Sequence, residues 1–171
     1  MMSETSLDFA DFYEEWFGRV YNYARNRTGS PTRADEVVSD TFSRVFKSWS
    51  RFDPAKADRR TWLFSIAFRA VADHYRAEKR RFWSPLELLE EPKAPGGGPA
   101  QAAEAAQDQK DLAAALALLE DQQREIVSLR FYGGMTNRAI AGLMGLTESN
   151  VAVILFRSVR QMRRSFPGVE A

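Results

Sequence analysis

The stretch TNRAIAGLMGLTESNVAVILFR, residues 136–157, decides how the rest of this chain is read. Thr136 is placed to cap a short helix that runs through Met144, and Thr147 to cap a second helix whose Val151, Leu155, Ser158, Val159 and Met162 face inward. Between them Gly145 supplies a tight turn that a side chain would obstruct. Ala141 is small where the two helices approach closely, and Val151 packs the second helix on the first. Small residue, turn glycine and packing valine, in that order and spacing, make a helix-turn-helix. An ordinary helical hairpin in a small bundle carries the same local pattern. If the motif binds DNA, the beginnings of its helices, Thr136, Thr147, Glu148, Ser149 and Asn150, face base edges, while Arg157, Arg160, Arg163 and Arg164 meet phosphates. Taken singly, each arginine fits a solvated helix end equally well.

Moving outward, helical patterning precedes the motif at Leu112 and Leu116, then at Ile126, Val127 and Leu129, and stops at Gly133 and Gly134. Before that, periodicity is lost where Pro85, Pro92, Pro95, Gly96, Gly97, Gly98 and Pro99 follow closely, the composition of a flexible tether. The N-terminal half carries three helical patterns. In the first, Phe9, Phe12, Tyr13, Trp16, Phe17, Val20, Tyr21 and Ala24 recur at three–four spacing. The second begins near Thr32, signalled by Ser30 and Pro31, with Val38, Thr41, Phe42, Val45, Phe46 and Trp49 on one face. Its other face reads Asp35, Glu36, Ser39, Asp40, Ser43, Arg44 and Lys47. RFDPAKADRR, residues 51–60, reads as a loop, because Pro54 lacks a donor and biases Asp53 away from helical geometry. A third helix starts about Thr61 and continues through Trp62, Leu63, Ile66, Ala67, Ala70, Val71, His74 and Tyr75 into Lys79, Arg80 and Arg81. No stretch alternates like a half-buried strand. The expected fold is all-α: two small helical domains, residues 1–83 and 108–171, joined by a flexible, acidic Pro/Gly-rich linker at 84–107.

Composition narrows the function classes. At 44% hydrophobic residues the chain has enough apolar side chain for a core, and the absence of cysteine removes disulfides, Cys-based zinc sites and thiol nucleophiles together. The single His74 makes neither a triad nor a metal cluster, and it reads as a satisfied core or surface histidine. Glu14 and Glu15, like Glu90 and Glu91, are adjacent and diverge on a helix, so neither pair forms a carboxylate dyad. Gly96 to Gly98 lack the strand and lysine of a phosphate-binding loop. The expectation is therefore a non-enzyme with no cofactor, no metal and no small-molecule substrate. The acidic start and the lack of a long apolar run point to a cytoplasmic protein that does not insert in a membrane. The net charge of +1 conceals an asymmetry: 15 basic against 12 acidic side chains over residues 1–81, 2 against 7 over 82–120, and 7 against 4 over 121–171. Two basic ends flank an acidic middle, which suits polyanion contact at two places.

The motifs in sequence order carry a family resemblance. ADEVVSDTFSRVFKSWSRFDP (34–54), followed by RRTWLFSIAFRAVADHYRAEKRR (59–81), is similar to region two of the extracytoplasmic-function (ECF) sigma factors. ALLEDQQREIVSLRFYGGMTNRAIAGLMGLTESNVAVILFRSVRQMRR (117–164) resembles their region four. The resemblance implies a factor that carries bacterial RNA polymerase core to promoter DNA. On that likeness, the second helix presents Asp35, Glu36, Ser39, Asp40, Thr41 and Arg44 to a coiled coil of the polymerase. The loop and third helix would open the downstream promoter element, holding an extruded base while Arg51, Arg59, Arg60, Arg69, Arg76, Lys79, Arg80 and Arg81 track the strand, with Trp62, Phe64 and Phe68 interleaved. Region four would read the upstream element, and an anti-sigma factor is an implied further partner. Three positions depart from the family's habit: Arg69 stands where Asn is common, and Ala152 and Ile154 stand where Lys and Arg are frequent. Losing those cations weakens phosphate attraction or redirects region four to a different upstream element. Two alternatives stay open on the residues alone, a helix-turn-helix regulator acting as a dimer and an interaction module that titrates a regulator.

Overall fold

The computed structural model describes residues 4–82 and 111–165, with side chains described for 8–80 and 111–165. The described residues divide into two compact units, one taking in 4–82 with 129–135 and the other 111–128 with 136–165. Every regular element among the described residues is helical, as the periodicity predicts. The expected linker at 84–107 lies outside the described residues. No single helix among those described is long and apolar enough to cross a membrane.

The first unit is built on α1 (Glu4–Thr28), α2 (Pro31–Ser48) and α3 (Arg59–Phe82), with a 3-10 turn at Trp49–Arg51 between the last two. Local chemistry sets each boundary. Gly29 takes a left-handed conformation that ends α1, its N–H donating to the Arg25 carbonyl at 3.0 Å. The Ser30 hydroxyl oxygen then accepts from the Arg33 N–H, and Pro31 opens α2 at a position that needs no donor. Asp58 caps α3: one carboxylate oxygen accepts from the Thr61 N–H and the other from the Thr61 hydroxyl, both at 2.9 Å. That cap starts the helix at Arg59 rather than at Thr61.

The core of this unit joins Phe12, Trp16, Val20 and Tyr23 of α1 to Val37, Val38, Phe42 and Val45 of α2 and to Leu63, Phe64, Ala67 and Val71 of α3. Phe64 sits edge-on to Trp16 and to Tyr23, with centroids 6.4 and 5.6 Å apart. The α1 stripe is rotated from the expected one. Tyr23 is fully buried while Tyr13 and Phe17 reach the surface, because a helix this rich in aromatics offers more apolar positions than one face can bury. Phe46, expected inward, is 59% exposed and rests its edge on Phe9 at 5.0 Å.

In the second segment, residues 111–117 form α4, followed by α5 (Asp121–Phe131), α6 (Asn137–Met144) and α7 (Glu148–Arg163). Arg124 of α5 closes the end of α4, its guanidinium donating to the carbonyls of Leu116, Ala117 and Leu119. Ala115, Leu116, Leu119, Val127 and Met162 form one buried cluster, with Leu112 and Leu155 packed against it. Gln161 also donates to the Leu118 carbonyl at 2.9 Å, so the last turns of α7 are pinned to the α4–α5 corner.

Candidate nucleic-acid interface

The α6–α7 pair has the geometry that its sequence implies. The helices meet at 108° across the three residues 145–147, within the range of a helix-turn-helix. Gly145 adopts φ 69°, a left-handed turn that other residues rarely occupy, and Leu146 N–H donates to the Ala141 carbonyl at 2.9 Å. Ile140, Ala141 and Val151 are buried at the junction. The Thr136 hydroxyl oxygen accepts from the Ala139 N–H at 3.1 Å and the Thr147 hydroxyl oxygen from the Asn150 N–H at 3.2 Å. Each threonine thus sets a helix start and keeps its own hydroxyl proton to donate outward.

Ser149 and Asn150 are exposed, and Glu148 lies 3.5 Å from Arg138 of α6. Arg157, Arg160, Arg163 and Arg164 are all exposed. The same outward side carries three apolar side chains that the sequence reading left without a role as contacts: Ala152, Val153 and Phe156 are exposed, Val153 at 45% and Phe156 at 68%. Their signal was present in the helical period, which sets 149, 152, 153, 156 and 160 opposite the inward residues.

In the first unit, Asp35, Glu36 and Ser39 are exposed on α2, and Asp40 and Arg44 are half-buried beside them. Thr41 is not on this face. It is wholly buried, and its hydroxyl donates to the Val37 carbonyl at 2.7 Å, so it has nothing to offer a partner. Arg44 grips Asp40 twice, at 3.0 Å through Nε and 2.7 Å through Nη2, and reaches Asp73 of α3 at 2.8 Å through Nη1. Asp73 also accepts from Arg76 at 3.0 Å. The Arg44 hydrogen bond is the leading reason that the Asp73 carboxyl is held below the usual carboxylate range. Alongside, His74 stands 3.7 Å from both Glu36 and Glu78, and Arg33 pairs with Glu78 at 2.8 Å. No group of three His, Asp or Glu residues among those described is placed to hold a metal ion.

The spacing of seven and four along α3 aligns Trp62, Arg69, Arg76 and Arg80 on one side, and the three arginines are exposed. Lys79 and Arg51 are exposed as well. Arg59 lies over the Trp49 ring at 5.7 Å and Arg60 over Trp16 at 5.9 Å, so both cations rest on aromatic faces. Trp62 is half-buried against Phe52, at 4.9 Å, and Phe68 is half-buried. Phe64 must be removed from the candidate base contacts, because it is fully buried between Trp16 and Tyr23. The Arg81 side chain lies outside the described residues.

The chain matches Sigma-70 region 2 over residues 12–81 and Sigma-70 region 4 over residues 109–162. It is 28% identical over 159 residues to the ECF RNA polymerase sigma factor BldN of Streptomyces coelicolor, an alignment that covers 93% of this chain and 60% of BldN.

The chain belongs to the ECF sigma factor family.

The ECF RNA polymerase sigma factor SigL of Mycobacterium tuberculosis is 27% identical over 151 residues, covering 88% of this chain and 84% of SigL. The fold also matches the sigma factor RpoE from Bartonella quintana, solved in complex with the anti-sigma factor NepR, with a TM-score of 0.73 at 18% identity over 95% of this chain and 99% of that one. Within this ECF sigma factor, region two falls on α1–α3 and region four on α4–α7.

Proposed function

We propose that this ECF sigma factor directs bacterial RNA polymerase core to specific promoters and lets it initiate there, working in the cytoplasm where the polymerase works. The reading divides the chain into residues 1–83 for polymerase docking and strand opening, 84–107 as a flexible tether, and 108–171 for the upstream promoter element. The observation that carries it is the pairing of one helix-turn-helix, capped by Thr136 and Thr147 and turned by Gly145, with a separate helical unit matching region two. Two modest attachments on one chain raise the effective concentration of the second once the first is made.

In this reading Asp35, Glu36, Ser39, Asp40 and Arg44 meet the polymerase, with Arg44 held in position by Asp40 and Asp73. The exposed side of α3, with Arg69, Arg76 and Arg80, follows the opened strand, and Trp62 falls on the same side by its helical spacing. Thr136, Thr147, Glu148, Ser149 and Asn150 face the upstream element, and Arg157 and Arg160 its phosphates. The polymerase performs the chemistry, so the chain acts as a non-enzyme without cofactor or small-molecule substrate. An anti-sigma factor is the expected regulator, as NepR is the partner of RpoE in its complex. The test is transcription by core polymerase on a genomic fragment library, with and without the chain. Start sites that appear only on its addition support the reading, and an unchanged set of start sites refutes it.

A further inference from the structure

His74 is the only histidine of the chain, and its surroundings on α3 suit a ring with one more proton than neutral imidazole carries. Its Nδ1 lies 3.7 Å from Glu36 Oε2 of α2, and its Nε2 lies 3.7 Å from Glu78 Oε1 on its own helix. Neither separation is a hydrogen bond. Nε2 is buried without a hydrogen-bond partner, and the side chain is 13% exposed. A neutral imidazole has one N–H and one lone pair, so it donates to one of the two carboxylates and turns its lone pair toward the other. The imidazolium has two N–H groups, one for each.

The neighbouring charges decide which partner moves. Glu78 is half-buried and already held at 2.8 Å by Arg33 of α2. Asp40 of α2 and Asp73 of α3 line the same groove as His74, and Arg44 holds both. From α1, Arg27 reaches this corner through its carbonyl, which accepts from the hydroxyl of Tyr75. Glu36 lines the groove too, but it is 58% exposed and forms no ion pair with an arginine among the described residues. Three carboxylates are thus committed to arginines, and Glu36 is the one able to close on the ring.

We infer that His74 is a proton-sensing positioning residue for polymerase docking: on taking a proton from solvent it draws Glu36 onto α3 and removes that carboxylate from the docking face. The inference rests on the proposed function, in which Glu36 meets the polymerase, and deepens it. Histidine is the side chain that changes charge between about pH 5 and 8, so the switch works near neutrality. Acid weakens the hold on core polymerase, and return to neutral pH restores it. The backbone need not move, because Arg44 and Asp73 already tie α2 to α3 beside the ring.

The test titrates the full chain, fluorescently labelled, with core polymerase in the absence of DNA at about pH 7.5, 6.5 and 5.5. Wild type is compared with His74→Gln, which keeps one donor and one acceptor and cannot gain a proton. The ratio of the two affinities cancels the titration of the polymerase's own groups. It should be near one at the highest pH and fall about threefold at the lowest, the worth of one exposed charged contact. Glu36→Gln, from whatever affinity it starts, should show the pH profile of His74→Gln rather than that of wild type. A ratio that is constant across the range, or that rises in acid, overturns the inference. So does a Glu36→Gln chain that keeps the wild-type profile, which would assign the effect to the charge of His74 alone. Circular dichroism at each pH checks the fold, and the comparison of wild type with Glu36→Gln decides the matter if His74→Gln does not fold. A wild-type chain that fails to bind core polymerase at the highest pH sinks the proposed function and the inference with it. One that binds there without the pH-dependent ratio sinks the inference alone.

Discussion

Arg44 Nη1 lies 2.8 Å from Asp73 Oδ2, and this ion pair ties α2 to α3 at the edge of the polar face of α2. The same guanidinium holds Asp40 through its other two nitrogens, and Asp73 holds Arg76 as well. Two residues of the proposed polymerase-facing surface are thus positioned from behind by α3. The surface is a preorganised arrangement of charges, and its geometry depends on Asp73, which the proposed contacts do not include.

Replacing Asp73 by Asn should therefore destabilise the protein in a pH-dependent way. The carboxyl is held below its unfolded value of about 3.9, first by the Arg44 hydrogen bond. Its contribution is then fully present above that value and is lost as pH falls through the lower folded-state value. Both side chains are more than a third exposed, so the contribution is at most about 1 kcal/mol. Urea denaturation of wild type and Asp73→Asn should differ by that amount at neutral pH and converge in acid, as pH falls through the lowered folded-state value. A difference that persists in acid would assign the effect to something other than the ion pair.

Phe64→Ala should cost about 3–5 kcal/mol, because it removes a ring packed edge-on against Trp16 and Tyr23 in a fully buried position. Any loss of promoter opening should then follow the unfolded fraction. A variant that melts like wild type and yet fails to open DNA would restore Phe64 as a base contact.

The turn of the helix-turn-helix offers two separable tests. Gly145→Ala places a Cβ in open space, so its cost is backbone strain at φ 69° alone, about 1–2 kcal/mol. Thr147→Ala removes the hydroxyl oxygen that accepts from Asn150 N–H and should cost about 1 kcal/mol, which Thr147→Ser restores. Thermal melting followed by circular dichroism measures both. A neutral Gly145→Ala would mean that the turn differs from the one described.

Features that act within a few residues were legible in the sequence: Ser30, Thr136 and Thr147 as caps, Gly145 as the turn, and the period of each helix. What was not legible depends on tertiary competition. Residues 9–24 carry so many apolar side chains that periodicity alone could not say whether Tyr21 or Tyr23 enters the core. The helical period sets Thr41 on the apolar face, and only the family resemblance assigns it to the polymerase-facing one; it is buried there because a helical threonine can satisfy itself on the carbonyl four residues back, and Thr41 does so on Val37. Asp58, embedded among charged residues of an expected loop, gave no sign that its carboxylate would cap α3. At the candidate site the cations were found by composition, and the helical period already set Val153 and Phe156 opposite the inward face of α7, while packing fixes how far each is exposed.

Arg157→Ala and Arg160→Ala should weaken upstream-element binding on every sequence about equally, and each should flatten the dependence of log affinity on log salt by about 0.9. Fluorescence anisotropy of the polymerase complex across a salt series reads both quantities. Loss confined to one promoter sequence would mean that the arginine reads a base rather than a phosphate.

On the proposed function, this chain lends polymerase the ability to choose and open a promoter. Permanganate probing of unpaired thymines on a promoter fragment, with core polymerase alone and with the chain added, tests it most directly. A reactive, melted stretch beside the start site is expected only when both proteins are present. Reactivity that is the same with and without the chain, on a fragment where transcription starts, would contradict it.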